Sequence, residues 1–68
     1  MIPIKEYYCD NTPSWEEIQE AYNMAVNDNC VVHLNWFVQY NGWNDRYITK
    51  DTDIEKLNHN LRHIVYGI

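Results

Sequence analysis

Asn41-Gly42 stands between two runs rich in apolar, aromatic and β-branched residues: Cys-Val-Val-His-Leu-Asn-Trp-Phe-Val-Gln-Tyr from Cys30 to Tyr40, and Trp-Asn-Asp-Arg-Tyr-Ile from Trp43 to Ile48. Asn-Gly accepts the two positive φ angles of a type I′ turn, whose twist matches that of the flanking strands, so the stretch reads as a β-hairpin. A two-residue loop pairs Tyr40 with Trp43, Val38 with Asp45, Trp36 with Tyr47 and Leu34 with Thr49. Leu34, Trp36, Val38, Tyr40, Trp43 and Tyr47 then share a face, with Asp45 as the misfit. A three-residue loop with Gly42 in a bulge pairs Leu34 with Ile48 and Trp36 with Arg46, and turns Tyr47 outward. Both registers remain open at this level. Phe37 faces away from Trp36, beside His33, Asn35 and Gln39.

The flanking segments supply the rest of a layer. Ile2 to Tyr8 alternates, with Ile2, Ile4 and Tyr8 on one side and Lys5 and Tyr7 on the other, and reads as a strand. Pro3 has no amide proton, so that strand lies at an edge or begins after it. Asp10-Asn11-Thr12-Pro13 is a turn. Ser14-Trp15-Glu16-Glu17 matches a capping box, and Trp15, Ile18, Ala21, Tyr22, Ala25 and Val26 follow at helical spacing until Asn27-Asp28-Asn29 ends the helix. After the hairpin, Asp51 or Thr52 offers an N-cap, and Thr52-x-x-Glu55 repeats the box. Ile54, Leu57, Leu61, Ile64 and Val65 form the second stripe, with Gly67 as a C-terminal cap or with His63 to Ile68 running extended instead.

The order is strand, helix, strand, strand, helix, which implies an α+β two-layer domain with a mainly antiparallel sheet around a central hairpin. The first strand and the central one are parallel neighbours if joined by the usual crossover. A chain of 68 residues has room for one thin core, so residues 1–68 form a single domain. Three tryptophans and six tyrosines help so small a core to hold.

No spacing carries chemistry that stands above background. Only Cys9 and Cys30 are present, in no zinc-ligand spacing, and they read as free thiols or as one inter-strand disulfide. His59 and His63 lie one helical turn apart without a third ligand or the Glu of an HExxH motif, so no metal site and no cofactor is expected. Cys30 and His33 point to opposite faces of a strand, Ser14 is a cap, and two glycines allow no phosphate-cradling loop. An enzyme is not expected. No apolar run approaches a membrane span and the start lacks a signal peptide's basic end, which implies a cytoplasmic protein.

Charge and rings point to binding instead. Ten acidic against five basic residues give a net charge of −5, which repels nucleic acid and favours a partner protein with a basic surface. Asp10, Glu16, Glu17, Glu20 and Asp28 line the first helix and its ends at intervals comparable to phosphate spacing. Phe37, Tyr40 and Trp43 are the hairpin rings left over as contacts. The same acids also serve the helix dipole and solubility, and the rings could instead be buried in a homodimer.

A tiny acidic, aromatic-rich α+β domain without catalytic motifs resembles the small phage-encoded inhibitors that include anti-CRISPR proteins and acidic DNA mimics. Asn41-Gly42-Trp43-Asn44 followed by Tyr47 is similar to a short stretch of one anti-Cas9 protein, where it follows a helix and leads into a dense acid run. Here it lies in a hairpin followed by Arg46 and Lys50. The resemblance implies stoichiometric binding to a nucleic-acid-processing enzyme in the host cytoplasm, and it carries over no individual site residue.

Overall fold

The computed structural model describes residues 1–63. Strand β1 (Ile4–Cys9), helix α1 (Trp15–Asp28), strands β2 (Val31–Val38) and β3 (Gly42–Ile48) and helix α2 (Ile54–Arg62) follow one another in the expected order. The sheet runs β1-β2-β3, with β1 parallel to β2 and β3 antiparallel to it. The α+β arrangement is the expected one, with the hairpin antiparallel and the crossover making β1 and β2 parallel neighbours. β1 begins after Pro3 and lies at an edge, which meets both conditions that the proline sets.

The hairpin register differs from both sequence readings. Val38 pairs with Gly42, Trp36 with Asn44, Leu34 with Arg46 and Val32 with Ile48. The turn is closed by the Asn41 amide donating to the Val38 carbonyl at 3.1 Å, so Gln39 and Tyr40, not Asn41-Gly42, are its central residues. Of the hairpin residues only Gly42 takes a positive φ, +74°. The reason lies in the core: because side chains alternate along a strand, this register puts Ile48 opposite Val32, and both are fully buried. Tyr47 is 58 % exposed where the two-residue loop would have buried it. The three-residue loop had the facing right, with Trp36 and Arg46 on one side and Tyr47 on the other, but not the pairs.

α1 forms where its signals place it. The Ser14 hydroxyl accepts from the Glu17 amide at 3.1 Å, the Glu17 carboxylate accepts from the Ser14 amide at 2.9 Å, and Asn29 ends the helix in the left-handed conformation. Its buried residues Ile18, Ala21 and Ala25 lie over Val32, Leu34 and Trp36 of β2, with Cys9, Cys30, Ile48 and Leu61 completing the core. The two alanines carry so little side chain that the helix can sit close on the central strand. Val26, counted in the apolar stripe, is exposed.

α2 is capped beyond both candidates, one residue after Thr52: the Asp53 carboxylate accepts from the Lys56 amide at 3.1 Å. Thr52 is occupied elsewhere, its hydroxyl accepting from the Thr49 amide at 2.8 Å and so folding the loop that enters the helix. Leu61 is buried, and Ile54 and Leu57 pack at the core margin. Arg62 donates to the Pro13 carbonyl and Tyr22 donates to the Lys50 carbonyl at 3.1 Å, which ties α2 and its loop to α1. The expected roles of Ile64, Val65 and Gly67, and the alternative extended end, lie outside the described residues.

Cys9 and Cys30 are both free and buried. In the parallel register Ile4 pairs with Val31, which leaves Cys30 level with the start of β1 and Cys9 at its far end. Six residues along a strand span roughly 20 Å, against a Cα separation of about 7 Å at most for a disulfide. The inter-strand bridge is ruled out by this geometry.

Candidate interaction face

Both helices serve one side of the sheet, and among the described residues nothing covers the other side. Alternation fills it in three rows: Ile4, Glu6 and Tyr8 from β1, His33, Asn35 and Phe37 from β2, and Trp43, Asp45 and Tyr47 from β3. Five of these are large apolar or aromatic side chains in the open: Ile4, Tyr8, Phe37, Trp43 and Tyr47. Several of the rings are in contact. Trp43 meets the edge of Phe37 at 5.5 Å between centroids and Tyr8 at 5.7 Å, and Tyr47 stacks on His33 at 4.6 Å.

His33 is at the centre of the face. Its Nδ1 lies 2.8 Å from Glu6 and its Nε2 2.9 Å from Asp45, so one imidazole joins carboxylates from both outer strands. Hydrogen bonds to Asp45 and to Glu6 raise its pKa above the ordinary 6.5. With both nitrogens engaged by acceptors, neither is free to take a proton from a substrate. The group works as a clasp across three strands, its hold on both carboxylates favouring the protonated form. Asn35 adds a second clasp, its amide donating to Glu6 and to the Tyr7 and His33 carbonyls.

The charge on this face has one sign apart from His33. Lys5 is hydrogen-bonded to Asp28 at 2.6 Å, Arg46 lies 5.9 Å from the Trp36 ring on the helix side, and Lys50, Lys56 and Arg62 belong to the loop and α2. Among the described residues no lysine or arginine stands on the open face.

The acids expected to act together are divided by the structure. Glu17 is half-buried and committed to the capping box, and its hydrogen bond from the Ser14 amide lowers its pKa. Asp28 is paired with Lys5, whose pKa that hydrogen bond raises. Asp10, Glu16 and Glu20 are exposed. All five lie on α1 or at its ends, on the opposite side of the sheet from Phe37 and Trp43, so acids and rings do not form one surface. Tyr40, at the hairpin tip, is 90 % exposed and lies beside neither set. Phe37 and Trp43 belong to the open face together with Glu6, Tyr8, His33, Asn35, Asp45 and Tyr47, none of which the sequence had singled out as a contact. The signal was alternation, and it could be used only once the register was known.

Burial pushes the Cys9 thiol up to about 12, helped by its hydrogen bond with Glu17, so it stays protonated and is no nucleophile. Burial likewise pushes the Tyr7 hydroxyl to about 12, with Glu20 beside it. His59 and His63 approach to 4.1 Å between ring centroids. Among the described residues no three His, Cys, Asp or Glu side chains are placed to hold a metal ion, and no helix is long and apolar enough to cross a membrane.

No family model, curated protein or solved structure matches this chain.

Proposed function

We propose that this chain is a small non-catalytic binding protein whose uncovered sheet face docks on a basic protein surface. The observation that carries the reading is the face itself: exposed rings, Trp43 against Tyr8 and Phe37 and Tyr47 on His33, beside two carboxylates, with no lysine or arginine among the described residues there. Aromatic residues with few rotatable bonds make strong interface anchors, and a contiguous exposed apolar patch in so small a domain marks an interaction site.

The charge also bears on which partner. A two-fold homodimer through this face would bring Glu6 and Asp45 up to the same carboxylates of a second copy, with only His33 to offset them. A basic partner meets the face without that repulsion. A nucleic-acid-processing enzyme is a protein of that kind, and inhibition by occupying its basic groove, in the cytoplasm of a host cell, is the form of this reading that the likeness to small phage inhibitors supports.

The experiment is capture of partners from a bacterial lysate on tagged protein at low and high salt, with a size-exclusion mass on the same sample. The reading predicts a monomer that retains a nucleic-acid-processing protein at low salt and releases it at high salt, because exposed charge pairing is screened. A dimer that captures nothing at either salt contradicts it.

A further inference from the structure

The open face holds a pocket of about 270 Å³ lined by His33, Asn35, Trp43, Asn44 and Asp45. What it can bind follows from which of its polar groups are already used. Asp45 accepts from His33 Nε2 through one carboxylate oxygen, and a carboxylate has lone pairs on both. The Asn35 amide nitrogen is committed to Glu6 and to two backbone carbonyls, which fixes its orientation and leaves its oxygen as the group available to a ligand. Both His33 nitrogens are taken. The pocket therefore offers acceptors and no free side-chain donor from these three residues, next to an indole that Phe37 and Tyr8 hold in place.

A ligand complementary to this is cationic, rich in N–H groups and flat enough to lie on an aromatic ring. A guanidinium has all three properties, whereas an ammonium is compact, more strongly hydrated and has no plane to stack. We infer that the pocket receives an arginine side chain of the partner protein, its guanidinium stacked on Trp43 and donating to Asp45 and Asn35. The inference rests on the open face being the docking surface, and it names the partner's chemistry there. The carboxylates of Glu6, from β1, and Asp45, from β3, keep the cluster at one net negative charge when His33 is protonated and two when it is neutral. Among the described residues, the other titratable groups on this face near it are the Tyr47 ring stacked on His33 and the Tyr8 ring against Trp43. Arginine should accordingly bind more tightly as the pH rises through the titration of His33.

The test is an NMR titration of ¹⁵N-labelled protein at low salt with the blocked tripeptide Gly-Arg-Gly, its Gly-Lys-Gly counterpart and spermidine. The expected result is saturable shifts of the Trp43 indole N–H and the Asn35 side-chain amide, with the arginine peptide bound about 2–5-fold tighter than the lysine peptide. Asp45→Asn should weaken binding about tenfold or more, from the loss of a charge-assisted hydrogen bond, and Trp43→Leu should abolish the arginine preference. Spectral dispersion confirms that each variant is folded. Absence of shifts, equal binding by Asp45→Asn, an equal response to spermidine, or shifts confined to Glu16 and Glu20 on α1 overturns the inference. If the pocket fails while partner capture still depends on Tyr8, Phe37 and Trp43, only the arginine is lost. If capture ignores the open face, the docking reading falls with it.

Discussion

Ile48 and Tyr47 are neighbours in sequence, and the structure gives them opposite fates. Ile48 is fully buried opposite Val32, while Tyr47 stacks on His33 in the open. Ile48→Ala should therefore cost about 2–5 kcal/mol, the transfer loss plus the cavity left under α1. Tyr47→Thr keeps a good strand former, removes a ring already more than half wet, and gives up mainly one stacking contact, so about 1 kcal/mol is expected. A domain of this size has roughly 3–10 kcal/mol of stability in all. Ile48→Ala then removes a large share of the total, and Tyr47→Thr a much smaller one. Urea unfolding followed by tryptophan fluorescence reads both, with a slope near 1 kcal/mol/M that should change little between variants. The two-residue-loop register requires the reverse order, since it puts Tyr47 against Trp36 in the core. A larger loss in Tyr47→Thr than in Ile48→Ala would refute the register and the open face built on it.

Other expectations follow from individual contacts. Ser14→Ala should destabilise by about 1 kcal/mol and lower Tm by roughly 4–8 °C in a thermal melt, because it removes one half of the capping box. His33 has a raised folded pKa, so the stability it adds is fully present below its unfolded value, near 6.5, and is lost as the pH rises through the folded pKa. Urea midpoints should fall over that window in the native protein, and in His33→Gln this component of the fall should be absent. Glu17 runs the other way: its lowered pKa contributes stability above about 4.5 that disappears on acidification, and Glu17→Gln should flatten the acid limb. Cys9 and Cys30 should react with a thiol reagent only as the protein unfolds, and oxidant should leave the native monomer without an intramolecular disulfide, as a mass measurement would show.

The elements of the fold could be read from local chemistry because local chemistry makes them. Ser14 and Glu17 cap α1 within four residues of sequence, Pro3 excludes a central position for β1, and Ile18, Ala21 and Ala25 recur at helical spacing. The register could not be read that way. Asn41-Gly42 satisfies a turn on its own, but the pairing is decided by which residues of β3 fit under α1, and that is a tertiary contest in which Ile48 prevails over Tyr47. The α2 cap shifted for a similar reason, since Thr52 is drawn into a loop with Thr49 and leaves Asp53 to the helix.

The interaction face depended on the same missing fact. Counting acids along α1 treats them as free, whereas Glu17 and Asp28 are already partnered. Asp45 looked like a misfit only because it was placed on the core side. Once it is turned outward it meets His33, and a row of unremarkable residues from three strands becomes the most distinctive surface of the molecule.

The central claim is that partners are held by the open face and not by α1. It is tested most directly by measuring, at one low salt concentration, the affinity of the captured partner for the native protein, for Trp43→Leu/Asp45→Asn and for Glu16→Lys/Glu20→Lys. Loss of a central aromatic anchor and a charged contact should weaken binding by about 100-fold or more in the first variant, while the second should change it by only a few-fold through long-range charge. Strong binding by the Trp43/Asp45 variant together with its loss on reversal of the α1 acids would contradict the account.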